Sequence, residues 1–576
     1  MGKPKVVLTA DRTLMSIYRG ISLASFFGCA PAVDPYRHDG FWYWILKNQV
    51  TPRVLFDFIC NPIEHSNGIA RYAPYGLRKI EAGLLRDGFS RDEVAVVHPE
   101  HIERFIGPET EVVGIYEMDP LGMGPVTMTF TYGRKMISYD EFYSAELHKR
   151  IRLAKEMTGS KAKVVVGAAG TWQYNYDPAK IEEYDLYAIL EGDFGGTAPE
   201  LDGAGVTGEF FRALINGEFD IANPFKKSDF KVIIKEFDMD DGRKYYGRFI
   251  HYNDEPSMDE IPNIVEPSIH GMIEAMRGCG RGCKFCEVTL RPLRYYPPEK
   301  VKAEIEVNIR KGGLRNAWIH SDDIFVYGLN PRKNKNMEPN TEALIELFEA
   351  VMSTGVVHTN PTHGTLAGAI ADEHLIPKLS EVIRAGPENH IGIQCGFETG
   401  SIRLIEKYAD RKLAPFKPSE WHWVVKHAVK VLNEHYWVPA FTLIMGLDNN
   451  EQEEDSWETV MLIHELEHEQ PESKFTVTPL TFVPIGLLSK SKFYDIGNSM
   501  TPAKVAVMYK CWQHNFKYGI MKFMHKVGQN DPIKRYFFTG LARTLGGIPL
   551  NAMEKYARRK GPEFEKAIEK VKAEYW

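Results

Sequence analysis

Apolar residues along this chain follow two rhythms. From Arg53 to about Ile215, short runs rich in Val, Ile and Leu alternate with longer stretches whose apolar positions recur every three or four residues. The short runs predict strands at Val54–Cys60, Val94–His98, Val112–Tyr116, Lys163–Gly167 and Leu186–Leu190. The longer stretches predict helices, among them Gly76–Arg86, stopped near Gly88, and Tyr139–Met157, stopped at Gly159. Alternating βα units imply α/β architecture, here a Rossmann-like parallel sheet with helices on both faces. Asn216 to Pro267 is polar and broken by prolines and by Asp238–Asp241, and reads as a connection.

After it the rhythm resumes on a period of about 40 residues. Strands are predicted at Met272–Arg277, Ala317–His320, Val356–Thr359, Ile391–Phe397, Ala440–Met445 and Phe475–Thr481, with helices Pro298–Arg310, Thr341–Met352, Ser419–Glu434 and Glu451–Glu469 between them. Six consecutive units imply a partial (β/α)6 barrel, whose chemistry belongs at the C-terminal ends of its strands. The remainder is mainly helical. The expected organisation is an N-terminal extension (1–52), a sheet domain (53–215), a linker (216–267), a barrel (268–488) and a helical C-terminal domain (489–576).

Composition narrows the class. The chain has 576 residues, 44% hydrophobic and 26% charged, as expected of several globular domains. No apolar run reaches the ~18 residues of a membrane span. Gly20 to Val33 could pass for the apolar part of a signal peptide, but it follows a strand-like segment, Lys5 to Ala10, and reads as folded. Seven cysteines, three of them within eight residues, suit a reducing cytoplasm and a metal site better than a disulfide framework. The net charge of −7 argues against a general nucleic-acid binder. From Ser491 to Trp576, 16 Lys and Arg face 7 Asp and Glu, a net +9 that leaves −16 for the rest. This excess suits either a solvated helical surface or a module that docks an acidic partner.

Cys279-x3-Cys283-x2-Cys286 follows the first barrel strand in a loop with Gly278, Gly280 and Gly282. Three thiolates leave one iron of a [4Fe–4S] cluster open to a further ligand, whereas four ligands would close a zinc knot. A structural zinc site with a distant fourth ligand is therefore the competing reading. Cys29, Cys60, Cys395 and Cys511 are isolated in sequence and read as buried apolar residues.

The cysteine spacing, with aromatic Phe285 before the last cysteine, resembles the signature of the radical S-adenosylmethionine (SAM) enzymes. Ser321-Asp322-Asp323 stands where that family holds the SAM amino group, and carboxylates there can accept from an ammonium. Gly396-Phe397-Glu398-Thr399-Gly400-Ser401 resembles the Gly-x-Glu-Ser-Gly-Ser turn of cobalamin-linked members, with Thr399 in place of Ser. Leu443 to Leu447, with Gly446, resembles the strand beside the adenine. The resemblance implies SAM contacts from Phe285, Ser321, Asp322, Asp323, Gly396, Glu398 and Gly446.

A parallel-sheet domain ahead of such a barrel resembles the cobalamin-dependent (class B) radical SAM methyltransferases. Three loops carry the likeness: Asp119 to Pro125 with Gly122, Gly124, Thr127 and Thr129; Gly167 to Gly170; and Glu191 to Gly196 with Gly192, Gly195 and Gly196. Members that ligate cobalt from below use Asp-x-His-x-x-Gly after the first strand. Ile63-Glu64-His65-Ser66-Asn67-Gly68 keeps the His and Gly, but Ile63 cannot supply the carboxylate that orients a ligating histidine.

The resemblance implies three cofactors, a [4Fe–4S] cluster, SAM and cobalamin, a low-potential electron donor, and methylation of an unactivated carbon. Ala73 to Lys79 and Asp119 to Pro125 look most like an archaeal subgroup with which the glutamine C-methyltransferase of methyl-coenzyme M reductase is grouped, implying a protein substrate. Ring formation or rearrangement with the same cofactors is the alternative within the class, and a zinc-stabilised binding protein the alternative outside it.

Overall fold

The computed structural model describes residues 2–18, 27–32, 53–191, 200–220, 230–252, 254–330, 332–520, 547 and 549–573. It opens on β1 (Val6–Ala10), five consecutive buried residues. A short run apolar on both faces suits a strand covered from both sides. A two-residue hairpin follows, β2 (His65–Ser66) with β3 (Ile69–Ala70). β4 (Val94–Val96), β5 (Val112–Tyr116), β6 (Lys163–Gly167) and β7 (Leu186–Glu191) join β1 in one parallel sheet, and the hairpin β8 (Phe230–Asp238) and β9 (Lys244–Tyr252) extends it in the order β4-β1-β5-β6-β7-β9-β8.

Two expectations are corrected here. Val54–Cys60 is no strand: Arg53–Ile59 is a helix that buries Phe56 and leaves Val54 and Phe58 exposed. A seven-residue apolar run is too short to reveal its period, and the side that meets the core decided it. The sheet also draws in β1, from the expected extension, and β8–β9, from the expected linker, because strand partners are chosen across long sequence separations.

The second half contains β10 (Met272–Glu274), a hairpin of β11 (Met276–Arg277) with β12 (Arg294–Tyr295), then β13 (Asn316–His320), β14 (His358–Pro361), β15 (Ile391–Glu398), β16 (Trp437–Met445) and β17 (Thr476–Thr481). β10-β13-β14 and β15-β16-β17 are parallel arcs, joined by a parallel bridge between His363 and Gln394. Helices Pro298–Gly312, Thr341–Ser353, Trp421–Glu434 and Glu453–Glu469 fill the intervals, giving the expected partial barrel. On β16 and β17 buried and partly exposed residues alternate strictly. The buried face packs under the helices through Phe441, whose ring lies 5.4 Å from that of Phe397 and 5.5 Å from that of Phe475.

The two halves are tied by charge. Arg277, at the end of β11, donates to Asp202 at 2.6 Å and to Glu200 at 2.9 Å, both from the segment that follows β7, and to Glu274 within the barrel. All are nearly buried, where losing one partner strands a charge at a cost of about 3–5 kcal/mol. In the C-terminal part, the helix Pro502–His514 lies against the acid-rich Glu453–Glu469. Lys504 meets Glu451 at 3.3 Å, and Lys510 and His514 meet Glu467 at 2.9 and 2.6 Å. Some of the C-terminal basic excess is therefore spent on the barrel of the same chain. Among the described residues no helix is long and apolar enough to cross a membrane.

Candidate functional site

The antiparallel pair β11–β12 pins the two ends of the cysteine loop together at the barrel mouth. Gly278, Gly280 and Gly282 hold φ of 73°, 68° and 79°, a region costly for residues with a Cβ. The loop is then held from the end of β13: the Gly278 amide donates to Asp322 Oδ2 at 2.6 Å, and Arg281 Nε donates to Asp323 Oδ2 at 2.7 Å. Arg281 also donates to the carbonyls of Lys412 and Ala414 at 3.2 and 3.0 Å. Burial pushes the thiols of Cys279 and Cys283 up to about 12 and about 11, and that of Cys286 higher still. A metal cluster bound there would offset this cost and hold them as thiolates.

Among the described residues, one group of three potential ligands has its ligand atoms all within 4.8 Å of one another, and it is Cys29, Asp119 and Asp140. Cys279, Cys283 and Cys286 share one loop fixed at the barrel mouth, and three thiolates leave one iron of a [4Fe–4S] cluster open to a further ligand.

The SAM candidates divide by what they do. Ser321 is spent on strand ends, its amide donating to Thr362 Oγ1 and its hydroxyl to the His363 carbonyl, at 3.0 and 3.1 Å. Asp323, beyond Arg281, accepts from the Thr365 amide at 3.0 Å. Phe285 lies in the barrel core. Gly446, at φ 77°, donates its amide to Glu451 Oε2 at 2.8 Å, and a Cβ there would collide with the Tyr494 ring. Glu398, at φ 58°, is paired with the Lys412 ammonium, and a Cβ on Gly396 would strike both.

Lys412 is the residue that sequence reasoning missed. Burial pulls its ammonium down, but Glu398 and then the Cys283 thiol more than offset this and leave its pKa raised. A lone Lys fourteen positions after Glu398, in a 3-10 turn, carries no periodic signal. Beside the cluster loop stands Glu287, whose carboxyl burial raises to about 7, with Asp322 adding to the shift.

The cobalamin candidates lie at the C-terminal edge of the first sheet. Asp119 accepts from the Gly124 amide at 2.8 Å, from Gln173 at 2.7 Å and from Thr127. Thr129 donates to Pro125 and accepts from the Thr481 amide at 2.8 Å, stitching this edge to β17. Cβ atoms on Gly122, Gly124 and Gly170 would lie 2.9 Å from Glu141, 2.8 Å from Asp119 and 2.6 Å from the Met118 backbone. These residues are therefore used in knitting the loops together. Gly167, at the end of β6, accepts from the Glu117 amide at 2.9 Å. Gly192, Gly195 and Gly196 lie outside the described residues, as do Lys534 and Arg535.

His65 lies at the β4 end of the same edge. It sits on the hairpin β2–β3, accepts from the Gly68 amide at 3.3 Å and meets His101 at 2.9 Å, with His98 alongside. The segment that follows the true first strand is Asp11-Arg12-Thr13, so a threonine stands where the ligating histidine was expected. Asp11 there accepts from the Thr13 amide at 2.7 Å. The chain passes from β1 to β4 on one side and from β4 back across to β5 on the other, and the crevice at such a switch point is the general ligand site of open parallel sheets. Met118, 43% exposed, is presented at this edge, and Tyr116, raised to about 12 by burial, lies in the field of Arg291 beside the cysteine loop. The edge thus faces the barrel mouth, so a cofactor held at the switch point would lie against the cysteine loop.

A parallel sheet whose C-terminal edge meets a partial barrel topped by three cysteines is the fold of the cobalamin-dependent radical SAM enzymes. In particular, the chain is similar to the structure of OxsB, a cobalamin-dependent S-adenosylmethionine radical enzyme with aqua-cobalamin bound, over 99% of this chain and 79% of that one, with a TM-score of 0.51 and 9% identity. HydG, a maturase of the [FeFe]-hydrogenase, is similar over 42% of this chain and 49% of its own, with a TM-score of 0.27 and 14% identity. A radical SAM methyltransferase from Sphaerobacter thermophilus is similar over 47% and 73%, with a TM-score of 0.23 and 14% identity. No family model and no curated protein matches the sequence.

Proposed function

We propose that this protein is a cobalamin-dependent radical SAM methyltransferase acting on an unactivated sp3 carbon. The observation that carries the reading is the loop of Cys279, Cys283 and Cys286, held at the mouth of a barrel that the sheet edge faces. Cys279, Cys283 and Cys286 would hold a [4Fe–4S] cluster, the Lys412–Glu398 pair and Asp322 would meet SAM, and the β1/β5 crevice with Met118 would hold cobalamin. Together these groups supply a hydrogen-abstracting radical and a transferable methyl group, the hard chemistry that a protein leaves to its cofactors. The chain's own part is positioning. Asp322 and Asp323 fix the loop, Lys412 places a cation beside it, and Thr129 with Thr481 holds the sheet edge over the barrel.

The archaeal likeness in Ala73 to Lys79 and Asp119 to Pro125 supports a finer reading: a glutamine side chain of methyl-coenzyme M reductase as substrate, a low-potential electron donor, and a cytoplasmic setting. The exposed Arg558, with Arg559 and Lys560, is the surface proposed to dock such a protein. Anaerobic purification with iron, sulfide and cobalamin quantitation tests the class. Turnover that yields both 5′-deoxyadenosine and S-adenosylhomocysteine is expected of a methyltransferase, whereas 5′-deoxyadenosine alone would mark ring formation or rearrangement. A colourless, iron-free protein overturns the reading.

A further inference from the structure

We infer that the surface over Lys284, Arg411 and Trp423 is the docking site of an acidic one-electron carrier protein, which delivers its electron to the cysteine loop there. The inference rests on the proposed function for the need of an electron, and it adds where that electron enters and from what kind of partner.

The first observation is where the loop meets solvent. From Gly278 to Arg291 only Lys284 is exposed. Its neighbours Cys283 and Phe285 are 8% and 9% exposed. Electron transfer between proteins weakens steeply with distance, so a carrier must come to the point where a ligand-bearing segment reaches the surface. The remaining cysteines, Cys29, Cys60, Cys395 and Cys511, are too few and too scattered to hold a relay cluster of their own. The carrier's redox centre has therefore to approach Lys284 itself. One electron leaves that centre and enters the cluster, with no bond made or broken.

The second is charge. Lys284 donates its amide to the Tyr408 carbonyl at 3.0 Å and its ammonium to the Lys407 carbonyl at 2.7 Å, which fixes the loop against the helix Ile402–Ala409. Arg411, in the turn that follows, lies over the loop: a Cβ on Gly282 would be 3.9 Å from its Nη1. The exposed cations of this face are Lys284, Arg403, Lys407 and Arg411, against the exposed carboxylates Glu406 and Asp410. Arg403 and Lys407 are held from beneath by Asp448 and Asp455, whose side chains are buried. Lys284 and Arg411 form no ion pair among the described residues. Cations left uncompensated beside the loop steer an acidic partner and set its orientation.

The third is an anchor. Beyond Arg411 the chain turns back to Phe416, whose ring lies 5.5 Å from that of Trp423 on the helix Trp421–Glu434. Trp423 is 50% exposed and stacks on His427 at 4.9 Å. Trp and Arg are the residues on which protein interfaces concentrate their binding energy. The same segment carries Ala414, whose carbonyl accepts from Arg281 at 3.0 Å, so this platform and the cysteine loop are tied together. A substrate has to reach the sheet edge, which the loop meets at its other end, where Arg291 acts on Tyr116. The Lys284 end is fixed to Ile402–Ala409 instead, and suits a partner that passes only an electron.

The test uses the anaerobically purified full chain with its cluster, and two reductants: reduced flavodoxin, an acidic carrier protein, and titanium(III) citrate, a small complex. Bleaching of the cluster's absorbance in stopped flow gives the rate of reduction. Trp423→Ala and Arg411→Glu should each slow reduction by flavodoxin at least about tenfold at low ionic strength, and leave reduction by titanium(III) citrate close to the wild-type rate. The effect of Arg411→Glu should fade as salt is added. Carbodiimide coupling of flavodoxin to the wild type should join a flavodoxin carboxylate to Lys284, read by peptide mass mapping. Unchanged flavodoxin rates in both variants, slowing shared by both reductants, or coupling confined to other lysines overturns the surface. A chain that holds no reducible cluster overturns the proposed function and this inference with it. One that both reductants reduce, at rates the variants do not alter, overturns the docking inference alone.

Discussion

Arg281 Nε donates to Asp323 Oδ2 at 2.7 Å, and both side chains are almost wholly buried. A charge on the cysteine loop is thus answered from the end of β13, so the loop cannot leave the barrel mouth without stranding an arginine.

Asp323→Asn should therefore be severe. Breaking a buried pair by removing one partner costs about 3–5 kcal/mol. The variant should lose that much stability in denaturant titration and carry less iron per chain. Asp322→Asn removes a charged acceptor from one amide and should cost only about 1–2 kcal/mol, keep its iron and bind SAM more weakly. Equal losses in the two variants would contradict this division of labour.

Replacing any one of Cys279, Cys283 or Cys286 by Ala should abolish SAM cleavage. Each thiolate is needed by a separate iron, and among the described residues none of Cys29, Cys60, Cys395 and Cys511 joins a three-ligand group with them. Retained 5′-deoxyadenosine formation in any of the three would sink the cluster assignment.

Lys412 and Glu398 should prove coupled. Lys412→Met alone leaves a buried carboxylate, and Glu398→Gln alone a buried ammonium, so each should destabilise by several kcal/mol. The double variant should recover part of that loss in a thermodynamic cycle while both singles bind SAM at least about tenfold more weakly. Additive stabilities together with wild-type SAM affinity would remove the pair from the site.

His98 gives a pH dependence of known sign. Its ring is buried, and burial lowers its pKa to about 4, against about 6.5 for an imidazole in the unfolded chain. Between those values the unfolded state binds the extra proton. Stability from this group is complete above pH ~6.5, falls as pH drops through the window, and levels off near 4 with a loss of roughly 3 kcal/mol. His98→Gln should flatten the stability–pH curve of the wild type by that amount. Parallel curves would show that His98 does not titrate in this way.

Docking should be sensitive to salt. With Arg558, Arg559 and Lys560 changed to Ala, methylation of a protein substrate should slow at low ionic strength, and that of a short peptide should not, because exposed charges act over about a Debye length. An unchanged rate and salt slope would leave these residues as a solvated face.

Local physics wrote much of this molecule legibly. The three cysteines, their flanking glycines and the βα rhythm of the barrel lie within short stretches, so spacing and periodicity alone placed β13, β15, β16 and β17 and put the cysteine loop after the first barrel strand. Strand partnership is not local. Val54–Cys60 and Val6–Ala10 are both brief apolar runs, and only the packed sheet made the second a central strand and the first a helix with Phe56 inward. That choice moved the segment after the first strand from His65 to Asp11-Arg12-Thr13 and left His65 beside His98 and His101 at the β4 end of the edge. Lys412 joined the site because a 3-10 turn carries it back to Glu398. Sequence determined which chemistry the chain can carry, since ligand type and spacing are covalent facts. Tertiary structure decided which groups share one buried environment, since that depends on long-range packing and on where each buried charge finds its partner.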